Sequence, residues 1–154
     1  ESESRGLGDV YKRQTMDTKK EKMGDIGEKL VFDYYNGTQS TYKYDSEKDG
    51  MIGKETAEVK TQNRHPFGYF TVNTAWKNQA KKCKSVDRLF FVEYDNSPDA
   101  MLWECIDRED TTMITTKNGR KMEGWPISKM KLITTFPGKG DELRKHTSSK
   151  IFKK

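Results

Sequence analysis

The chain has 154 residues, 32% hydrophobic and 34% charged, with a formal net charge of +5 at pH 7. That length suits one domain around a single small core, and an aromatic share of 11% argues against wholesale disorder. Two cysteines and two histidines supply zinc or histidine-pair chemistry poorly, no apolar run reaches the length of a membrane span, and the basic balance permits a polyanionic partner.

Residues 1–15 stand apart from the rest. The hexapeptide DVYKRQ at 9–14 resembles the translation of a transposase end sequence used in preparing sequencing libraries. The leader is therefore expected to be non-native, with Met16 or Met23 as the natural start; the alternative is an ordinary disordered N-terminus. No signal peptide is visible. Residues 17–35 follow a helical period through Met23, Ile26, Leu30, Val31 and Tyr34, and Asn36-Gly37 gives a helix stop. Gly24 and Gly27 lie inside this helix at a cost of about 1 kcal/mol each, so another backbone is expected close by. Glu28 is either a third acid turned toward a site or a solvated helix glutamate.

Residues 38–62 read as a meander of three short antiparallel strands, over 41–44, 51–52 and 56–61, with turns at 45–50 and 53–54. Asp49 stands at the start of the middle strand and Glu58-Val59-Lys60 in the third. Alternation places Glu58, Lys60 and Gln62 on one face, and Ala57, Val59 and Thr61 on a half-buried apolar face. Neighbouring strands lie about 4.8 Å apart, so Asp49 and Glu58 can reach a common ion. Two carboxylates hold a hard cation through oxygen, and a lysine beside them can orient water or neutralise phosphate charge.

A loop over 64–68 and a strand over 69–72 lead to a second helix, capped by Asn73 or Thr74. Trp76, Ala80 and Cys83 form its core face; Lys77, Lys81 and Lys84 form another face, either solvated or a phosphate track. Residues 89–92 are a strand covered on both sides, and 101–106 return after a turn. A hairpin is expected over 111–116 and 121–127 about Asn118-Gly119, with Trp125, Ile127 and Met130–Ile133 as late core. Cys83 and Cys105 are read as small core residues in a reducing compartment. From Gly138 on, Lys and Arg abound, and a mobile basic tail over 138–154 is expected. No repeat or linker divides the chain.

The order of a helix with Glu28, a strand, Asp49, Glu58-Val59-Lys60, a helix and a buried strand resembles the PD-(D/E)xK nuclease superfamily over about residues 23–95. The resemblance implies a mixed α/β (α+β) fold, with a restriction-endonuclease-like α-β-β-β-α-β core whose mixed sheet is flanked by helices; residues 16–137 would be the nuclease domain. Glu28 would be the opening-helix acid, Asp49 the second acid, and Glu58 and Lys60 the E-x-K pair. Asp49, Glu58, the Val59 carbonyl and Glu28 would hold Mg²⁺ or Mn²⁺. Lys60 would orient water or offset phosphate charge, and Gln62 would contact the scissile phosphate. Lys48 stands where the family often shows proline, which leaves Asp45 as a substitute for Asp49. Gln79 is followed four residues later by Cys83, not by the tyrosine of the exonuclease branch.

The implied activity is a metal-dependent endonuclease that hydrolyses DNA to 5′-phosphate products. Small phage-type endonucleases and Holliday-junction resolvases are nearest in size and layout, which implies a phage or mobile-element origin and a cytoplasmic site of action. A homodimer would place two such sites on a duplex. The alternatives are a non-catalytic nucleic-acid-binding module of the same fold and an unrelated basic protein with a chance E-x-K.

Overall fold

The computed structural model describes residues 22–41, 47–75, 78–95 and 97–146. The leader 1–15, Asp45, Trp76, Lys77 and residues 147–154 lie outside the described residues. The first helix, α1, is described over 22–35. It stops where its sequence directs: Asn36 takes a positive φ of 55°, and the Gly37 N–H bonds the Phe32 carbonyl at 2.7 Å.

Three antiparallel strands come next: β1 (Thr38–Gln39), β2 (Gly50–Ile52) and β3 (Glu55–Thr61). The first lies at 38–39; of the strand expected at 41–44, residues 42–44 lie outside the described residues. Gly37 and Gly50 let β1 and β2 pair this close to α1. A Cβ on Gly50 would lie 2.7 Å from the Phe32 ring, so the bare backbone lets the strand pair begin directly under the end of α1. The expected close approach of another backbone is not found at either glycine: a Cβ on Gly27 would meet the Thr61 side chain, with Oγ1 at 1.8 Å, and Gly24 faces open space.

The chain continues through β4 (Tyr69–Asn73), α2 (Gln79–Ser85), β5 (Arg88–Glu93), β6 (Ala100–Cys105), β7 (Thr112–Thr115), β8 (Lys121–Pro126), a 3-10 turn (Ile127–Lys129), β9 (Lys131–Phe136) and α3 (Lys139–Arg144). The architecture is mixed α/β. A six-stranded sheet runs β1-β2-β3-β5-β6-β9, and a three-stranded sheet runs β4-β8-β7. In the larger sheet β3 and β5 are parallel and the other neighbours antiparallel. A parallel pair needs a long crossover, here supplied by the segment that holds β4 and α2. The β7–β8 hairpin turns at Gly119 with φ 81°, as its Asn-Gly predicts.

Both faces of the large sheet are covered. On one, Val31 and Phe32 of α1 meet Ala57, Val59, Phe90, Val92, Leu102 and Leu143. On the other, Cys83 of α2 and Phe70 and Trp125 of the second sheet meet Leu89 and Phe91. The half-buried β3 expected from alternation is thus a strand buried on both sides, and Glu58, 1% exposed, lies between the layers. Cys83 and Cys105 are free and buried.

Two boundaries differ from expectation. The second helix begins at Gln79, after Asn78 with φ 71°, and Asn73 ends β4 instead of capping it; its Oδ1 accepts the Ala75 N–H at 2.9 Å. The expected basic tail from 138 is in part a packed element. Leu143 is fully buried, Arg144 Nη1 donates to the Tyr94 and Ser97 carbonyls at 2.8 and 2.7 Å, and Gly140 sits on the Ser97–Asp99 backbone. One leucine, and one arginine with several carbonyls to bond, outweigh a polar composition. Among the described residues no helix is long and apolar enough to cross a membrane.

Candidate functional site

The site forms where β2 ends and β3 goes on. Asp49 precedes β2, fixed by its N–H to the Ala57 carbonyl at 2.9 Å and by the Ser40 N–H on its own carbonyl at 2.8 Å. Its Oδ2 then accepts the Val59 N–H at 2.8 Å. A side chain therefore continues the ladder where β2 has no backbone left to offer. The N–H and C=O of one residue in a strand point to the same edge, so the Val59 carbonyl is also presented to the Asp49 side.

Glu58 and Lys60 share the β3 face that meets α2. Lys60 Nζ is 3.3 Å from Glu58 Oε2 and donates to Gln79 Oε1 of α2. Lys82, one turn further along α2, brings a second ammonium. It lies 3.4 Å from Glu58 Oε1 and 3.5 Å from Asp49 Oδ1, so one cation bridges the acid within β3 and the acid just before β2. Glu28 of α1 stands near both acids and accepts Gln39 Nε2 at 3.4 Å.

The electrostatics reflect this crowding. Burial, then the charge of Asp49, pushes Glu58 up to about 7, against the pull of Lys60 and Lys82. Burial, then the charges of Asp49 and Glu58, pushes Glu28 up to about 8. Burial works against the Lys82 ammonium, yet Glu58 and Asp49 outweigh it and raise its pKa above the ordinary lysine value. Cys83, beneath the cluster, is pushed up to about 12 by burial, which keeps its thiol from nucleophilic work at neutral pH.

The two fully buried acids differ in how they are met. Glu93 is satisfied: Arg64 Nε and Nη2 donate to it at 2.6 and 3.0 Å, and Trp103 Nε1 at 2.9 Å. Glu58 Oε1 is buried with no hydrogen bond. Its contact is the Lys82 ammonium at 3.4 Å, longer than a normal charge-assisted hydrogen bond, and a buried carboxylate oxygen met so loosely suits a ligand position. The donor set of Asp49, Glu58 and the Val59 carbonyl is all oxygen, as a hard divalent cation requires, and such an ion keeps several waters and needs few carboxylates. Among the described residues no three His, Cys, Asp or Glu are placed as a ready-made metal cluster. The residues present fit a two-carboxylate centre, with Glu28 in electrostatic range.

Two residues expected at the site, Gln62 and Lys84, have partners elsewhere in the fold. Gln62 shares the face of Lys60 and lines the same cavity, of about 320 Å³. Its amide, however, is held at both ends by β4: Thr71 N–H donates to Oε1 at 2.7 Å and Nε2 donates to the Thr71 carbonyl at 2.9 Å. It splices β3 to β4. Lys84 is engaged by Glu123 of β8 at 2.6 Å, so the expected phosphate track is broken there; Lys81 is exposed, and Lys77 lies outside the described residues. The residue that the helical spacing misses is Lys82, one position away from the row it singles out. Gln79 stands out in the sequence only by the cysteine four residues after it, and its hold on Lys60 is a product of the fold. No signal in a lone sequence marks which lysine of Lys81, Lys82 and Lys84 turns onto the acids, because that depends on how α2 lies against β3 and Asp49.

No protein-family model, no curated protein and no solved structure matches this chain.

Proposed function

We propose that the chain is a metal-dependent deoxyribonuclease of the PD-(D/E)xK kind. The observation that carries the reading is the convergence of Asp49 and Glu58 on a single ammonium while buried Glu58 Oε1 is left without a hydrogen bond. The element order supports it: α1, the three-stranded meander, α2 and the parallel strand β5 keep the restriction-endonuclease-like order, with β4 as an added strand. Asp49, Glu58 and the Val59 carbonyl would hold Mg²⁺ or Mn²⁺, with Glu28 at the edge. Such an ion acidifies water and offsets the charge that builds on a phosphodiester.

The chain's own residues do the rest. Gln79 fixes the Lys60 ammonium beside Glu58, where it can hold the attacking water or stabilise the phosphate oxygens. Water attacks phosphorus, the bond to the 3′ oxygen breaks, and a 5′-phosphate and a 3′-hydroxyl result. The net charge of +5 and exposed Lys81 favour a polyanion, and a homodimer would serve a cut on both strands.

A second reading is a nucleic-acid-binding module of the same fold without catalysis. It is favoured by the two lysines that already neutralise the acids. Incubation with linear, nicked, four-way and single-stranded DNA in Mg²⁺, Mn²⁺ or EDTA separates the two. Cleavage that EDTA stops and Asp49→Asn removes is expected. Binding without cleavage of any of these substrates would leave the module reading in its place.

A further inference from the structure

Of the three lysines in α2, Lys81 is exposed, Lys84 pairs with Glu123, and Lys82 alone turns onto the acids. Its side chain is 13% exposed and its ammonium stands 3.5 Å from Asp49 and 3.4 Å from Glu58. Lys60 differs: its pairs are with Glu58 and Gln79, and it does not bridge the strands. A divalent ion of the size of Mg²⁺ sits about 2.1 Å from its oxygens, closer than Lys82 stands to either acid. The ammonium thus stands against both carboxylates, on ground that an ion bound to them would need. A singly charged nitrogen and a divalent ion cannot share that ground, because like charges at contact distance repel strongly inside a protein.

We propose that Lys82 is a built-in stand-in cation, which neutralises Asp49 and Glu58 in the metal-free chain and is exchanged for the divalent ion when it binds. The proposal rests on the metal-dependent reading above. Its consequence is a trade. Lys82 stabilises the empty site, and for the same reason it weakens the metal, since every ion bound must first displace it. The released ammonium is left beside the acids, where the negative phosphate of a substrate can take it up. Metal and DNA phosphate therefore favour each other's binding through one side chain, the metal by freeing Lys82 and the phosphate by keeping it away from the acids.

The test is calorimetric titration of Mn²⁺ into the wild-type chain and into Lys82→Met, Lys82→Gln and Lys82→Arg, with thermal melting of each in EDTA. Removal of the charge should tighten Mn²⁺ about tenfold or more, given an ammonium in contact with both ligands. The two neutral variants should also melt lower than wild type in EDTA and gain more on addition of Mn²⁺. Lys82→Arg should stay near wild type in both. If Met proves too poor a fit to fold, Gln carries the test with a polar side chain of no charge. Mn²⁺ affinity that is unchanged or weaker in the neutral variants, while wild type binds the ion and Asp49→Asn does not, would overturn the exchange and leave Lys82 a structural pair. No Mn²⁺ binding by wild type would overturn the metal reading itself, and this proposal with it.

Discussion

Replacing Glu58 with glutamine should change how the stability of the protein depends on pH, and the sign is unusual. Most carboxylates gain charge partners on folding, so their pKa falls. Burial and Asp49 raise that of Glu58 from 4.5 to about 7. A native acid with a raised pKa keeps its proton longer than the unfolded chain does. Between pH 4.5 and about 7 the native state therefore binds more protons, and stability falls as pH rises through that window. Below it both states hold the proton; above it both have lost it, and the full cost is present. At about 1.4 kcal/mol for each tenfold change in proton affinity, the cost reaches roughly 3 kcal/mol by about pH 8. Glu28, raised to about 8 by burial and by the same acids, adds a loss in the same direction.

Glutamine has nearly the shape of the protonated acid and does not titrate. Urea unfolding in EDTA should find wild type and Glu58→Gln within about 1 kcal/mol at about pH 5. Near pH 8 the variant should be the more stable by roughly 2–3 kcal/mol, which for a chain of this length is a rise in Tm of about 4–12 °C. Saturating Mn²⁺ should reverse the order at that higher pH, because the ion takes up the carboxylate that otherwise costs stability. An equal pH slope in the two proteins would refute the burial argument, and with it the idea that Glu58 is held in the fold for use.

Three other outcomes are expected from the geometry. Lys60→Ala leaves the oxygen ligands in place, so Mn²⁺ should still bind by calorimetry while single-turnover cleavage at saturating Mn²⁺ drops by about 10²-fold or more; cleavage within a few-fold of wild type would remove Lys60 from the mechanism. Gly27→Ala drives a methyl into Thr61 Oγ1 and should cost about 1–3 kcal/mol in urea unfolding, most of it recovered in the double variant with Thr61→Ala; a cost that Thr61→Ala does not relieve would place the strain elsewhere. Leu143→Ala empties a fully buried position and should cost about 2–5 kcal/mol, whereas a loss near zero in the same assay would return α3 to the mobile tail its composition suggests.

The sequence is legible where a local rule and the tertiary fold agree. Asn36-Gly37 stops α1, Asn118-Gly119 turns the β7–β8 hairpin, and the unbroken apolar run of β5 lies buried on both sides, since each signal is written in a few neighbouring residues. Asp49 and Glu58 are legible as a pair because strand spacing alone brings them within reach. The failures share one cause. Gln62 reads as a polar residue on the working face, and only the arrival of β4 shows that Thr71 consumes its amide. Lys82 is missed because it lies next to Cys83 at the edge of the core face, where helical spacing alone does not separate an ammonium turned onto acids from a solvated one. Leu143 is hidden in a basic segment because one apolar residue has no periodicity to announce it.

The two buried carboxylates show how the same burial serves opposite ends. Glu93 has Arg64 and Trp103 on its oxygens, so its burial is fully answered and its place is structural. Glu58 is answered by two ammonium groups at 3.3 and 3.4 Å and by no hydrogen bond on Oε1. Charge is balanced there, but geometry is not. An ammonium can be withdrawn along its flexible stem, whereas a guanidinium forked on a carboxylate is hard to displace. The use of lysine around Glu58 and arginine around Glu93 thus suits the proposed exchange at the first and a fixed structural pair at the second. The carboxylate held by lysines is also the one that shares its face with Lys60 and lies beside Asp49. The choice of cation, the long ion pair on Oε1 and the neighbouring acid all favour the proposed exchange at this end of β3.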